Sequence, residues 1–166
     1  MSGDSHASWV SDLVWLDNEP YNSTSGAGAL GAEFAGSAVS SPCPYGENIT
    51  LAKAANYSQL LVGANAELQW QDLYYRGYFE LHISEQEVAA NYFGMPTIVT
   101  RNPDEISLAN FTVKAGANKL TRPIAGGVAE AGYLRGGQVQ RTNVTNDTST
   151  GQYFVSHPDL NEVQPY

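Results

Sequence analysis

Residues 68–114 read as a succession of short extended segments, and that succession limits the folds open to this chain more than any other feature. In "ELQWQDLYYRGYFELHIS", Leu68 and Trp70 alternate with Gln69 and Gln71. Beyond Arg76-Gly77, the residues Tyr78, Phe79, Leu81 and Ile83 form a run of aromatic and apolar types. A period of two places alternate side chains on opposite faces, so such a segment must pair with a neighbour and bury one face. The two runs read as a hairpin-like pair. "ISLANFTVKAG", after the Asn102-Pro103 turn, reads as another strand. Between them "SEQEVAANYFG" has two readings: Ser84 with Glu87 matches a helix capping box, while residues 88–93 suit a strand. The flanking strands favour the second.

Helical signals are fewer. Over residues 51–65, Leu51, Ala54, Ala55, Ser58 and Leu61/Val62 share one face. Residues 7–17, "ASWVSDLVWLD", are expected to form a short helix: Val10, Leu13 and Val14 fall at helical spacing, Trp9 and Leu16 widen the face, and Asn18 to Pro20 end it. Residues 33–39 are strand-like. Residues 20–28 and the "PCPYGEN" segment are loops. Residues 117–166 form a Gly-, Asn- and Thr-rich tail, with short β-pieces such as "GQVQRTNVT". No sharp boundary or repeat divides the chain, so residues 1–166 are expected to form part of one domain. The fold class is α/β (α+β), β-rich.

The net charge is −9, and the 8 Lys and Arg residues are scattered. A nucleic-acid surface needs a basic stripe, so that class is set aside. No run approaches the roughly 18 apolar residues of a membrane span. The single cysteine, Cys43, reads as a free thiol in a loop, the other reading being a disulfide to a missing part of the parent protein. Sequons stand at Asn22, Asn48, Asn56, Asn110, Asn143 and Asn146. Chance would give roughly two, so a glycosylated, secreted or cell-wall protein is expected, its signal peptide lying outside this chain.

The chemistry concentrates in "SGDSHASW". Asp4 and His6 are one residue apart, and in an extended segment both side chains would emerge together. Gly3 would let the backbone turn, and a following helix N-terminus would favour an anion. A hard cation held by Asp4, with a phosphate oxygen nearby and His6 as ligand or hydrogen-bonding group, satisfies all of these. The competing reading is a helix N-cap aspartate beside an incidental histidine. "GDS" also opens the motif of serine esterases, with Ser5 as nucleophile, but no Asp stands three residues before His6, His82 or His157 to orient a base. His82 reads as a surface or structural histidine. Trp70, Tyr74, Tyr75 and Tyr78 read as a half-buried sheet, not a stacking platform.

"SGDSHASWVSDLVW", "GAEFAGSAVSSP" and "LYYRGYFELHIS" together resemble the C-terminal part of PhoD-like alkaline phosphatases, of the fungal secreted kind. The likeness extends through "PTIVTRNPDEISLANFTVKAGANKLTRPIAGG". It implies part of a metallophosphoesterase-like β-sandwich with flanking helices, and hydrolysis of phosphate mono- or diesters with Ca2+ and Fe3+. It also implies that Asp4 is a metal ligand and that His6 belongs to the active site. The family's remaining ligands, its metal-binding cysteine among them, would lie in a missing N-terminal part of the same domain. Cys43 does not replace that cysteine. One carboxylate and one imidazole cannot satisfy a calcium that takes six to eight oxygens. The chain alone is therefore expected to bind metal weakly, to show little or no activity and to expose sheet edges.

Overall fold

The computed structural model describes residues 1–95, 97–101 and 103–127, together with the backbone of four short strands at 129–130, 133–134, 143–147 and 152–156. Three strands, β1 (Ser8–Val14), β2 (Ala29–Ala35) and β3 (Leu68–Asp72), form one antiparallel sheet in the order β2-β1-β3. A helix, α1 (Leu51–Ala64), precedes β3. The strands β4 (Gly77–Ile83), β5 (Glu87–Gly94) and β6 (Ile106–Lys114) form a second sheet, an antiparallel meander. Two small pairs follow: β7 (Ala129–Glu130) with β8 (Tyr133–Leu134), and β9 (Asn143–Asp147) with β10 (Gln152–Ser156).

The first correction is at residues 7–17, which form strand β1 and not a helix. The helical face dissolves on inspection of burial. Ser8, Val10 and Asp12 are buried at a period of two, whereas Leu13, Trp15 and Leu16 are exposed. β1 is the middle strand, with Val10 opposite Phe34 of β2 on one side and Trp70 of β3 on the other. Two flanking partners satisfy its backbone groups on both sides, and this tertiary pairing outweighs a local periodicity shared with a helix.

The second correction is the supposed hairpin over residues 68–83. β3 pairs with β1 and β4 with β5, so the two runs belong to different sheets. The chain changes sheet through a turn in which buried Asp72 accepts from the Tyr75 N–H at 2.9 Å and the Tyr74 N–H at 3.3 Å. Gly77 is required where β4 begins: a Cβ there would lie 2.0 Å from the Phe93 carbonyl oxygen. Residues 84–94 follow the strand reading. The Ser84 hydroxyl does accept from the Glu87 N–H at 3.1 Å, but that bond closes the β4–β5 hairpin. The strand expected at 33–39 lies at Ala29–Ala35, and Val39 is exposed beyond it.

The two sheets face each other through one core. Val10, Phe34 and Trp70 from the first meet Ala90, Tyr92, Ala109 and Phe111 from the second, with Leu120 and Ile124 closing one side. The Trp70 ring stands edge-on to Tyr92 at 5.1 Å and tilted to Phe111 at 5.4 Å. The Tyr92 hydroxyl, buried among apolar groups, donates to the Ala35 carbonyl at 3.2 Å and so ties the sheets together. Burial raises its pKa. On the other face of the first sheet, Ala54 of α1 packs with Ala7 and Leu73. The result is a β-rich α/β arrangement in which a helix flanks two facing antiparallel sheets.

Asp12 is the buried charge of this core. It accepts from Arg122 Nη2 at 2.6 Å, the Leu120 N–H at 2.8 Å and the Tyr21 hydroxyl at 2.9 Å. Arg122 also donates to the Ser23 carbonyl at 2.9 Å. One carboxylate thus fastens the 20–28 loop and residues 120–122 to β1. Residues 120–124 of the Gly-rich tail are therefore core-forming. The histidine at 157 and the segment 157–166 lie outside the described residues.

Candidate functional site

The segment carrying Asp4 and His6 enters beside β2. The Ser2 N–H donates to the Phe34 carbonyl at 3.1 Å, and the Gly36 N–H donates to the Ser2 carbonyl at 3.2 Å. The chain then swings from that outer side of β2 to β1, the central strand. It does so with two left-handed non-glycine residues, Asp4 at φ 68° and His6 at φ 56°. Gly3, expected to supply the turn, has no positive φ. The helix N-terminus expected behind His6 is absent, because β1 follows, so no helix dipole favours an anion here. Left-handed backbone at a residue other than glycine costs on the order of 1–2 kcal/mol. Two such residues so close together mark a segment held in shape by its surroundings.

Those surroundings are specific. The Ser5 hydroxyl accepts from Trp9 Nε1 at 2.6 Å and donates to the Ala7 carbonyl at 3.3 Å, bracing the turn. Ser5 is thus engaged by its own loop. His6 Nδ1 lies 3.0 Å from the Pro42 carbonyl. A carbonyl only accepts, so Nδ1 carries a proton, and in the neutral ring Nε2 carries the lone pair. A histidine oriented by a backbone carbonyl through one nitrogen is the arrangement that metal-ligating imidazoles use. Asp4 is exposed and His6 half-buried.

The Pro42 loop is itself pinned. Arg76, buried at the turn between the sheets, donates through Nη1 to the Ser41 carbonyl at 2.8 Å and through Nη2 to the Leu73 carbonyl at 2.8 Å. Burial lowers the Arg76 pKa, with Asp72 and Cys43 acting against that effect. Burial also pushes the Asp72 carboxyl up to about 6, opposed by the N–H groups of Tyr75 and Tyr74 and by Arg76. Pro42, Arg76 and Asp72 were not singled out in the sequence. The one available signal was an arginine inside the aromatic run "LYYRGYF", where a cation must find buried acceptors.

As a cation site, the donor set is partial. Asp4 offers carboxylate oxygens and His6 an oriented Nε2, and these suit a hard or borderline metal. Among the described residues, no group of three or more His, Cys, Asp or Glu side chains is placed to hold a metal ion. Two donors alone are fewer than such a metal takes. Cys43 is a buried thiol 3.5 Å from the Gly46 carbonyl, and His82 is exposed, 3.6 Å from Glu80. Trp70 is buried in β3 and Tyr78 stands exposed on β4, as a half-buried sheet expects, whereas Tyr74 and buried Tyr75 lie in the turn between the sheets. Glycosylation requires asparagines at the surface: Asn22, Asn48, Asn56 and Asn110 are exposed, while the side chains of Asn143 and Asn146 lie outside the described residues. Among the described residues no helix is long and apolar enough to cross a membrane.

The model of one protein family, described as PhoD-like phosphatase, matches residues 1–92. That span contains the Asp4–His6 turn, the first sheet, α1, β4 and most of β5. Among solved structures, one titled "Structure of PhoD" is similar at 27% sequence identity and a TM-score of 0.52. The likeness covers 72% of this chain and 20% of that one. No curated protein matches the chain.

Proposed function

The chain belongs to the PhoD-like phosphatases, and we propose from this that it contributes Asp4 and His6 to the metal site of a phosphate-ester hydrolase. The observation that carries the reading is the 3.0 Å contact between His6 Nδ1 and the Pro42 carbonyl. It fixes the tautomer whose Nε2 can accept a cation. Asp4 would hold the metal through its carboxylate and His6 through Nε2, with Ca2+ and Fe3+ as the ions the family resemblance suggests. Bound metal supplies positive charge against the phosphoryl oxygens and lowers the pKa of water. The chain's own task is geometric: the braced Ser5 shapes the turn that carries Asp4 and His6, and the Pro42 carbonyl orients the His6 ring. Hydrolysis forms a bond from a water oxygen to phosphorus and breaks the ester P–O bond; the departing alcohol takes up a proton. The remaining ligands would come from polypeptide beyond this chain, which covers 20% of the similar PhoD structure, so this chain alone is expected to be nearly inactive.

The test uses the chain joined to the rest of its parent protein. p-Nitrophenyl phosphate hydrolysis and metal content are measured for wild type, Asp4→Asn and His6→Ala. Each substitution should lower kcat/KM by at least about 100-fold, beyond what loss of a merely supporting group costs, and should reduce bound metal. Near-wild-type rates and full metal content in both variants would remove these residues from the reaction. The exposed sequons support a secretory route, and a mobility shift on enzymatic deglycosylation of the secreted protein checks it. A non-catalytic, glycosylated β-rich domain is the second reading, favoured by the two-residue donor set.

A further inference from the structure

A cavity of about 610 Å³ opens between the 40–49 loop and Met95, Thr97, Ile98 and Val99. Its size falls within the roughly 300–1,000 Å³ of small-molecule sites. Its walls are largely apolar, with Leu73, Tyr74, Ile98 and Val99 among them. Ile98 and Val99 are 49% and 75% exposed, so two large aliphatic side chains stand at a concave surface and not in a core. Pro42 lines the same cavity. Its carbonyl faces His6, so the cavity and the candidate metal ligand share one residue as a common wall.

The cavity is poorly built for phosphate. Its arginine, Arg76, gives Nη1 and Nη2 to the Ser41 and Leu73 carbonyls and keeps its unpartnered Nε buried out of reach of solvent, and its one acid, Glu47, would repel an anion. The cavity therefore suits the other half of an ester. The geometry points to the cavity as the subsite for the alcohol portion of the substrate, selecting phosphate esters of aromatic or branched aliphatic alcohols. This rests on the proposed function. The phosphoryl group lies on the Asp4–His6 side of Pro42 and the apolar leaving group lies against Tyr74, Ile98 and Val99. Burying a ring there removes apolar surface from water on both partners, and Tyr74 supplies an aromatic wall.

Two measurements test the inference. In the first, this chain is titrated with 2-naphthol, a free leaving group, while the side-chain methyl resonances of Ile49, Ile98 and Val99 are followed. Saturable shifts confined to these methyls are expected, and the Ile49 shift should vanish in the Ile98→Asn/Val99→Asn variant, whose substitutions sit at exposed positions. Absent shifts, or shifts spread evenly over the molecule, overturn the subsite. In the second, the chain joined to its parent protein is assayed with 2-naphthyl phosphate and methyl phosphate. The double variant should lose about tenfold or more in kcat/KM for the naphthyl ester relative to the methyl ester, the scale of discrimination that apolar contacts provide. An unchanged ratio overturns the inference while leaving the phosphatase reading intact. Failure to hydrolyse either ester overturns the phosphatase reading and, with it, the leaving-group assignment, even if naphthol binds.

Discussion

Asp72 should make this protein less stable as pH rises from 4 to 7, and replacing it with asparagine should abolish that slope. The carboxyl is 3% exposed and is pushed up to about 6 by burial, from an ordinary value of 3.8. Well below its ordinary value it is protonated whether the chain is folded or unfolded, so no penalty arises. As pH rises, the unfolded chain releases this proton first, so between 4 and 6 the folded state binds more protons and loses stability. Above 6 both states are ionised and the full penalty persists through the alkaline range. A displacement of this size corresponds to about 3 kcal/mol. An asparagine at this position cannot ionise, yet its carbonyl oxygen can still accept the bond that Asp72 accepts from the Tyr75 N–H at 2.9 Å. Urea unfolding of wild type and Asp72→Asn at half-unit intervals from pH 4 to 7.5 isolates the effect, since the other carboxylates cancel in the difference. The variant should match wild type near pH 4 and exceed it by about 3 kcal/mol at pH 7. A difference that stays constant within about 1 kcal/mol, or one that favours wild type with rising pH, would refute the argument. The second outcome would mean that Arg76 dominates over burial.

Three further outcomes follow from the packing. Arg122→Ala leaves the fully buried Asp12 carboxylate with only the Tyr21 hydroxyl and the Leu120 N–H, so urea unfolding should show a loss of about 3 kcal/mol or more; a loss below about 1 kcal/mol would mean the pair behaves as a surface contact. Trp70→Ala removes the ring that contacts both Tyr92 and Phe111 and should cost about 3–5 kcal/mol by the same assay. Gly77→Ala places a Cβ 2.0 Å from the Phe93 carbonyl, so the first rung of the β4–β5 pair should open. Fast amide exchange at Met95, whose N–H donates to the Arg76 carbonyl at 2.7 Å beside this pair, and a loss of about 3 kcal/mol are expected, and unchanged protection there contradicts the reading.

The fold was legible where one periodicity had no competitor. β4 and β6 carry aromatic and β-branched residues between turn signals, and α1 carries Leu51, Ala54, Ala55, Ser58 and Leu61 at helical spacing. It was illegible where two periods shared the same residues. Val10, Leu13 and Val14 fit a helix, but only Val10 is deeply buried, because β2 and β3 claim the backbone on both sides. The exchange of sheets after Asp72 could not be read from sequence, since a strand pattern fixes which face is apolar and not which neighbour it meets. The capping signal at Ser84 was chemically correct and topologically silent: the same bond starts a helix or closes a hairpin.

The site shows the same division, and it yields a prediction about ligands. The residue types Asp4 and His6 could be picked from sequence, but the anion-favouring helix terminus inferred behind them does not exist. What replaces it reverses the local electrostatics. Asp4 presents a negative carboxylate, and His6, with Nδ1 facing the Pro42 carbonyl, presents a lone pair at Nε2 when the ring is neutral. Both are electron-pair donors, repelled by phosphate oxygens and attracted to cations. Arg122 is paired with the Asp12 carboxylate, and Arg76 keeps its charge but is buried, with Nη1 and Nη2 given to carbonyls and Nε shut away from solvent. The chain's net charge of −9 adds a repulsive background, screened beyond about 8 Å at physiological salt. This chain should therefore show no saturable binding of inorganic phosphate at about 1 mM and pH 8 by calorimetry without metal, an affinity weaker than about −4 kcal/mol. Saturable binding below that concentration, abolished by Asp4→Ala, would show that the turn recognises anions directly, and the cation-first order argued here would fall.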